Sequence, residues 1–405
     1  MAPAGNFECL HAAIQGGANS VYFGVGNLNM RSHSANNFAV EDLQQVCDIC
    51  REAGIKSYLT VNITFYNEDL EPMRQLLLAA RTAGVTAVIA SDMAAILEAR
   101  RLGIEVHIST QLSISNIESL RFYAQFADVI VLARELTLPQ VKEIHEMIVR
   151  EGIKGPGGDL VRLEMFCHGA LCMAVSGKCY LSLHAHNASA NRGSCYQVCR
   201  RSYIVTDKDD GNELEIDNKY IMSPKDLCTI EFMDRIIDAG VTVFKIEGRA
   251  RSGEYVKTAS RAYRDAADAV LAGNYSTELG ARLKARLATV FNRGFWDGYY
   301  LGAKMGEWSD VYGNKATRTK RYLGKITNWF EKIGIAEVQI ETGELSVGDP
   351  VIISGPTTGV IEFNVPEIRV DLKPVQTAHK GDLCSIPCAT KLRRSDKIFL
   401  FTNNG

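Results

Sequence analysis

Short β-branched runs alternate with helix-length segments through roughly the first 250 residues, and this alternation constrains the fold most. Val21-Tyr22-Phe23 follows a predicted helix over Phe7–Gln15, and Lys56–Val61 follows an amphipathic stretch over Val40–Glu52. Ala87–Ala90, Val106–Ser109, Val129–Leu132, Leu163–Phe166 and Val243–Ile246 come next, each after a connection long enough for a crossover helix. With Met1-Ala2 as the stub of a first strand, the pattern predicts an α/β chain with a parallel sheet, a TIM-like (β/α)8 barrel. An open doubly wound sheet is the alternative. No G-x-G-x-x-G follows the first strand, which argues against its dinucleotide-binding form.

From Tyr322 the period changes to two. YLGKITNWF, IGIAEVQIE, VGDPVIISG, GVIEFNV, GDLCSIP and IFLF read as short strands separated by Gly and Pro turns. They predict a small C-terminal β-barrel. The expected organisation is a barrel over 1–275 carrying a cysteine-rich insertion at 167–222, a helical return and linker over 276–317, and a β-domain over 318–405.

The insertion is the most informative stretch. It follows the seventh strand and is expected to return at Ser223-Pro224-Lys225-Asp226, where a helix is predicted to start. Structureless loops of such length are uncommon unless functional or stapled. Cys172, Cys179, Cys195 and Cys199 stand in it as C-x6-C-x15-C-x3-C, with Cys167 just before them and Cys228 just after. Thiolates converging from a loop-rich segment suit zinc or an iron–sulfur cluster, and spacing alone does not separate the two. Cys47 and Cys50 form a C-x-x-C inside an amphipathic helix and read as core, and Cys384 and Cys388 read as structural.

Polar residues gather at the predicted strand ends: Asn62, Gln111, Arg134, and Glu247 with Arg249. On one barrel face such groups line a pocket. Arg134 and Arg249 suit a carboxylate through forked hydrogen bonds, which points to a small anionic ligand. His168, between the seventh strand and the cysteines, is a candidate to move protons or to orient a ligand.

Several classes are disfavoured. His145-Glu146 begins an H-E-x-x-H that fails at Val149, and neither G-x-S-x-G, a P-loop nor a C-x3-C-x2-C is present. The net charge of −2 gives no global attraction to nucleic acid or anionic lipid. No apolar run reaches membrane-spanning length and no signal peptide is read. Eleven cysteines, clustered and odd in number, point to a reduced cytoplasm rather than to disulfides. The oligomeric state is left open.

Longer motifs carry a resemblance. Glu164, Phe166, Gly169–Cys172 and Cys179–Ser182 form E-x-F-x-x-G-A-L-C-x6-C-Y-L-S. With Asn191–Arg200, Ser223–Leu227, Lys245–Arg249 and the opening Ala2–Asn6, this resembles the signature of the collagenase-like peptidase family of unassigned catalytic type. The size is similar to its transfer-RNA uridine hydroxylase branch. The resemblance implies a 4Fe–4S cluster on Cys172, Cys179, Cys195 and Cys199, prephenate as co-substrate, and tRNA as partner. In a ubiquinone-hydroxylating branch the fourth ligand comes from later in the chain, which keeps Cys228 as an alternative. The leading expectation is a wobble-uridine hydroxylase with catalytic His168, Glu247 and Arg249, and with Asn62, Gln111, Arg134 and Arg249 binding substrate. A collagenase-like peptidase and a non-enzymatic iron–sulfur scaffold or RNA-binding protein are the alternatives. Arg200, Arg201, Arg318, Lys320, Arg321, Arg393 and Arg394 are candidates to grip phosphates, with the β-domain orienting RNA.

Overall fold

A computed structural model describes residues 1–33, 36–201, 204–206, 213–214, 222–302, 306–309 and 313–403. Parts of the cysteine-rich insertion, 202–203, 207–212 and 215–221, lie outside the described residues.

Seven strands pair side by side in chain order, all parallel: β1 (Ala2–Pro3), β2 (Ser20–Phe23), β3 (Lys56–Val61), β4 (Ala87–Ala90), β5 (Glu105–Ile108), β6 (Val129–Val131) and β7 (Arg162–Gly169). The connections carry α1 (Phe7–Gln15), α2 (Leu43–Glu52), α3 (Leu70–Ala83), α4 (Met93–Arg101), α5 (Ile117–Ala124) and α6 (Leu138–Glu151). Local chemistry sets the helix starts. The Asn6 side chain accepts from the Cys9 N–H at 2.8 Å, and the Thr137 N–H donates to Gln140 Oε1 at 2.9 Å with Pro139 in the first turn. Both faces of the strands are covered, and β2, β4 and β6 are buried at every residue.

After β7 the chain forms α7 (Leu181–His186) and the antiparallel pair β8 (Val205–Thr206) and β9 (Glu213–Leu214). Then follow β10 (Asp226–Cys228), α8 (Met233–Asp238), β11 (Val241–Ile246), α9 (Gly253–Leu271), α10 (Thr277–Ala288) and β12 (Phe295–Trp296). β11 joins β7 in parallel. The Ile246 N–H donates to the Met1 carbonyl at 3.1 Å, and the Met1 amino group donates to the Phe244 carbonyl at 2.7 Å. The segment expected to open a helix at Asp226 is instead β10. It runs antiparallel to the end of β7, with Leu227 opposite Gly169 and Cys228 opposite His168. Cys167 and His168 are therefore strand residues, and the cysteine segment departs only at Ala170.

The C-terminal part has ten strands rather than the six expected. They are β13 (Arg318–Phe330), β14 (Ile335–Ile340), β15 (Glu344–Ser346), β16 (Pro350–Gly355), β17 (Gly359–Asn364), β18 (Ile368–Val370), β19 (Lys373–Val375), β20 (Thr377–His379), β21 (Leu383–Pro387) and β22 (Lys397–Asn403). Eight form one antiparallel sheet in the order β17-β16-β22-β13-β14-β21-β18-β19, and β15 pairs with β20. Alternation buries Ala336, Val338 and Ile340 in a separate core with Leu323, Ile326, Val351 and Ile398.

This sheet is fastened to the parallel one. Gln15 Nε2 donates to the Thr358 carbonyl at 2.8 Å, and its Oε1 accepts from the Val360 N–H at 2.9 Å. Lys257 donates to the Val360 carbonyl at 2.6 Å. Ile352, Val360 and Phe401 pack into the core of the parallel sheet. A chain ending before Asn314 should therefore expose apolar surface on α1 and α9 and aggregate on size-exclusion chromatography. A monodisperse truncated chain would show that the second sheet is dispensable.

Candidate active site

A cavity of about 220 Å³ opens at the C-terminal ends of the parallel strands, the end at which parallel α/β sheets place their ligands. Several strand ends deliver groups. Thr60 and Asn62 come from β3, Ser109 and Gln111 from the end of β5, and Arg134 from beyond β6. Phe166 comes from β7, and Lys245, Glu247, Arg249 and Arg251 come from β11 and the turn after it. The insertion closes over them, and Cys172, Cys179, Cys195 and Cys199 all line the same cavity. Burial pushes the Cys199 thiol up against the opposing charge of Arg200, and the other three cysteines add to the rise.

The floor is held by charge and amide pairs. Arg31 contacts Glu247 at 3.0 Å, and the carboxylate pushes the guanidinium pKa up. Burial works to raise the Glu247 carboxyl, but Arg31, Arg134, Arg249 and Lys245 outweigh it and hold it below the usual range. Arg249 is buried, donating to Thr60 Oγ1 at 3.0 Å and Asn29 Oδ1 at 2.9 Å. Burial pulls its pKa down to about 10. Gly24 makes room for it, because a Cβ there would stand 2.3 Å from Arg249 Nη1. Asn62 Nδ2 donates to Gln111 Oε1 at 3.0 Å, and Gln111 Nε2 returns a bond to the Asn62 carbonyl at 2.5 Å. Arg134 stacks over Phe166 at 3.9 Å, and its buried Nε has no hydrogen-bond partner among the described residues.

Below the floor, charges alternate through the sheet interior. Lys245 Nζ contacts Glu164 Oε1 at 2.9 Å; Glu164 Oε2 lies 3.6 Å from His107 Nδ1. His107 Nε2 lies 3.2 Å from Glu105, and Arg162 contacts Glu105 at 2.8 Å. Burial opposes ionisation of Glu164, yet Lys245 and His107 hold its carboxyl down to about 2. Burial likewise opposes protonation of His107, and the flanking carboxylates prevail and push it up.

Of the residues singled out in the sequence, Asn62, Gln111, Arg134, Glu247, Arg249 and the four insertion cysteines share this cavity. His168 does not line it. Its ring is buried among Tyr255, Tyr263 and Phe295, and burial together with Arg251 lowers its pKa to about 3. There it packs against those rings, its buried Nδ1 without a hydrogen-bond partner among the described residues. Cys228 also lies outside, in the sheet beside His168, with its thiol raised to about 11 by burial. Cys167 is buried and donates to the Lys245 carbonyl at 3.4 Å.

The sequence reading missed Arg31, Lys245, Arg251 and Arg293, which also line the cavity. For Lys245 and Arg251 the signal was available, since both flank the Glu247–Arg249 strand end. Arg31 follows β2 in an irregular Gly- and Asn-rich stretch without periodicity. Three of the expected phosphate-gripping residues are engaged within the chain. Arg200 donates to Ser223 Oγ at 2.8 Å and to the Pro224 and Leu171 carbonyls at 2.7 Å. Arg318 pairs with Glu362 and stacks over Phe401, and Lys320 pairs with Glu254.

Among the described residues, no three His, Cys, Asp or Glu side chains gather closely enough for a single metal ion. None of the described helices is long and apolar enough to cross a membrane.

The model of the family described as Peptidase family U32 matches residues 5–310. A protein named Collagenase from Porphyromonas gingivalis is 59% identical over 401 residues, covering 99% of this chain and 97% of that one. The tRNA hydroxylation protein P1 of Bacillus subtilis is 33% identical over 364 residues, covering 88% and 83%. The tRNA hydroxylation protein P of Escherichia coli is 27% identical over 421 residues, covering 91% and 88%.

Proposed function

Because the chain belongs to peptidase family U32, we propose that it is an RNA-modifying enzyme of that family, hydroxylating a pyrimidine of tRNA, the wobble uridine, with prephenate or a similar small carboxylate as oxygen donor. The observation that carries this reading is the sharing of one cavity by four thiols and by Arg134 and Arg249, two guanidiniums that hydrogen-bond or stack on the neutral Thr60, Asn29 and Phe166 and share the Glu247 carboxylate with Arg31 and Lys245. Relatives over most of the chain are named as tRNA hydroxylation proteins. We take the parallel strands to close as a (β/α)8 barrel, with β11 beside β1, the second sheet being a separate domain.

The donor set is compatible with a cluster: Cys172, Cys179, Cys195 and Cys199 line one cavity, and four thiolates are the ligands such a cluster takes. Cys172, Cys179, Cys195 and Cys199 would hold a 4Fe–4S cluster, which when bound supplies a site for an oxygen-bearing group and for electron transfer. The remaining work belongs to the chain. Arg134 and Arg249 bind the donor carboxylate, Glu247 fixes Arg31, and the Asn62–Gln111 pair shapes the wall. The pyrimidine carbon exchanges hydrogen for hydroxyl and gives up two electrons. The donor R–OH accepts them and leaves as R–H.

Mass spectrometry of tRNA from a deletion strain tests this. A uridine lacking one oxygen, restored by the wild-type gene, is expected; unchanged tRNA would refute it. Arg249→Ala should lower turnover by at least about a hundredfold while keeping iron content. Arg249→Lys should also be impaired, because an ammonium cannot make the forked contact. Full activity in either variant would remove Arg249 from the site.

The 59% identity to the protein named Collagenase favours a second reading, a peptidase. It requires cleavage of gelatin by purified protein, and cleavage that survives removal of iron.

A further inference from the structure

The cysteine segment alternates in what it turns inward and outward. Cys179 and Cys195 line the cavity, whereas the tyrosines that follow them, Tyr180 and Tyr196, do not. Tyr180 is 74% exposed and Tyr196 is 54% exposed. Both are tied to α7. Tyr180 precedes its first turn, and its carbonyl accepts from the His184 N–H at 2.8 Å. The Tyr196 N–H donates to Ser182 Oγ at 3.0 Å, and its ring lies 5.0 Å from that of His186. Arg201 Nη2 stands 3.3 Å from His186 Nε2. Two aromatic rings thus stand in solvent on a short scaffold beside the cavity, with a guanidinium at hand. Large exposed rings held in place by backbone bonds are a poor use of apolar surface unless something covers them.

Charge points to the occupant. From Met165 to Thr206 the chain contains no Asp or Glu; of its cations Arg192 pairs with Asp69 and Arg200 donates inward to Ser223, Pro224 and Leu171, which leaves Lys178 and Arg201, with His184 and His186, to face a ligand. The whole protein carries 47 acidic residues and a net charge of −2, so this acid-free stretch is a local feature. A polyanion whose flat groups are free to stack satisfies both the rings and the charge. Unpaired nucleobases do so, because every base has a π-face, whereas bases in a duplex are already stacked.

We infer that Tyr180 and Tyr196 form a stacking platform for unpaired bases flanking the target nucleotide, at the edge of the cavity. The inference rests on the RNA-modifying reading and specifies how such a substrate is held. The platform receives the neighbours of a base that has left its stack to enter the cavity. It selects loops over paired stems without reading sequence, and Lys178 and Arg201 meet the phosphates.

The test uses full-length, anaerobically purified protein with an RNA hairpin bearing a uridine-containing loop, and the same strand annealed to its complement. Wild type should bind the loop more tightly than the duplex in fluorescence anisotropy. Tyr180→Ala and Tyr196→Ala should each weaken loop binding by about tenfold and leave duplex binding unchanged. Tyr180→Phe and Tyr196→Phe should bind like wild type, because the ring face is kept. The salt dependence should stay unchanged in the tyrosine variants and flatten in Arg201→Ala, which removes a phosphate contact. Visible absorbance and iron content, unchanged, exclude a disturbed segment. Wild type that binds hairpins while both Ala variants bind equally well overturns the platform alone. Wild type that binds neither RNA overturns the RNA reading with it. Ala variants that lose gelatin binding but keep RNA binding assign the face to polypeptide and overturn the proposal.

Discussion

Replacing any one of Cys172, Cys179, Cys195 or Cys199 by Ala should bleach anaerobically purified protein and strip most of its iron. A single four-cysteine cluster gives about four iron per chain, and losing one thiolate leaves an iron without its protein ligand. Cys167→Ala and Cys228→Ala should keep the colour. Their thiols are buried in the sheet, away from the four that share the cavity. Iron loss in Cys228→Ala with retention in Cys199→Ala would mean that the fourth ligand comes from beyond the insertion. Stoichiometric zinc without iron would remove the cluster altogether. Each arm is read from metal content and absorbance and needs no substrate.

Glu164→Ala should destabilise the protein by about 3–5 kcal/mol, the range for breaking a buried ion pair from one side. Glu164 has no exposure and neutralises Lys245 while facing His107. Its removal leaves the buried Lys245 without its ion-pair partner and takes away one of the two carboxylates facing His107. The isosteric Glu164→Gln keeps the volume and isolates the charge. The pH dependence has a definite sign. The folded carboxyl sits at about 2, below its ordinary 4.5. Its contribution is therefore complete above about 4.5 and disappears as pH falls toward 2. The gap in unfolding free energy between wild type and Glu164→Gln should narrow over that range. His107 works in the opposite direction. Its folded pKa is raised above 6.5, so its contribution is complete below 6.5 and is lost as pH rises through the raised value. Urea unfolding across pH measures both. A gap that does not change with pH would show that the Glu164 charge contributes nothing.

The parallel strands were legible because burial on both faces produces continuous β-branched runs, as in Val129–Val131. The strand at Asp226–Cys228 was not. Ser-Pro-Lys-Asp carries the signals of a helix start, and the strand arises from pairing with Gly169 and His168, distant in sequence. The second sheet announced its period, but its short strands, such as Ile368–Val370 and Lys373–Val375, fall below what alternation can mark. At the site, the strand-end rule found Asn62, Gln111, Arg134 and Arg249 without contact information. The rule says where a side chain begins, not which way it turns. That is why His168, at the end of β7, was read as a functional group although its ring faces the packed aromatic side.

The pairing of Leu227 with Gly169 has a consequence for how the insertion can vary. Its entry and its exit are neighbours in one sheet, so the ends are already joined whatever lies between them. For such a closed loop, the entropy of closure grows only with the logarithm of length, about 0.6 kcal/mol for each doubling. Closure therefore sets little limit on the segment's length, and the expense of exchanging it lies in the contacts that it makes, such as Arg192 with Asp69 and Arg200 with Ser223. Gly169 marks the hinge of that exchange. It sits at φ 101°, and a Cβ there would come within 2.3 Å of the Glu247 carbonyl. A transplanted segment that keeps this glycine and the strand at Asp226–Cys228 should seat on the same scaffold.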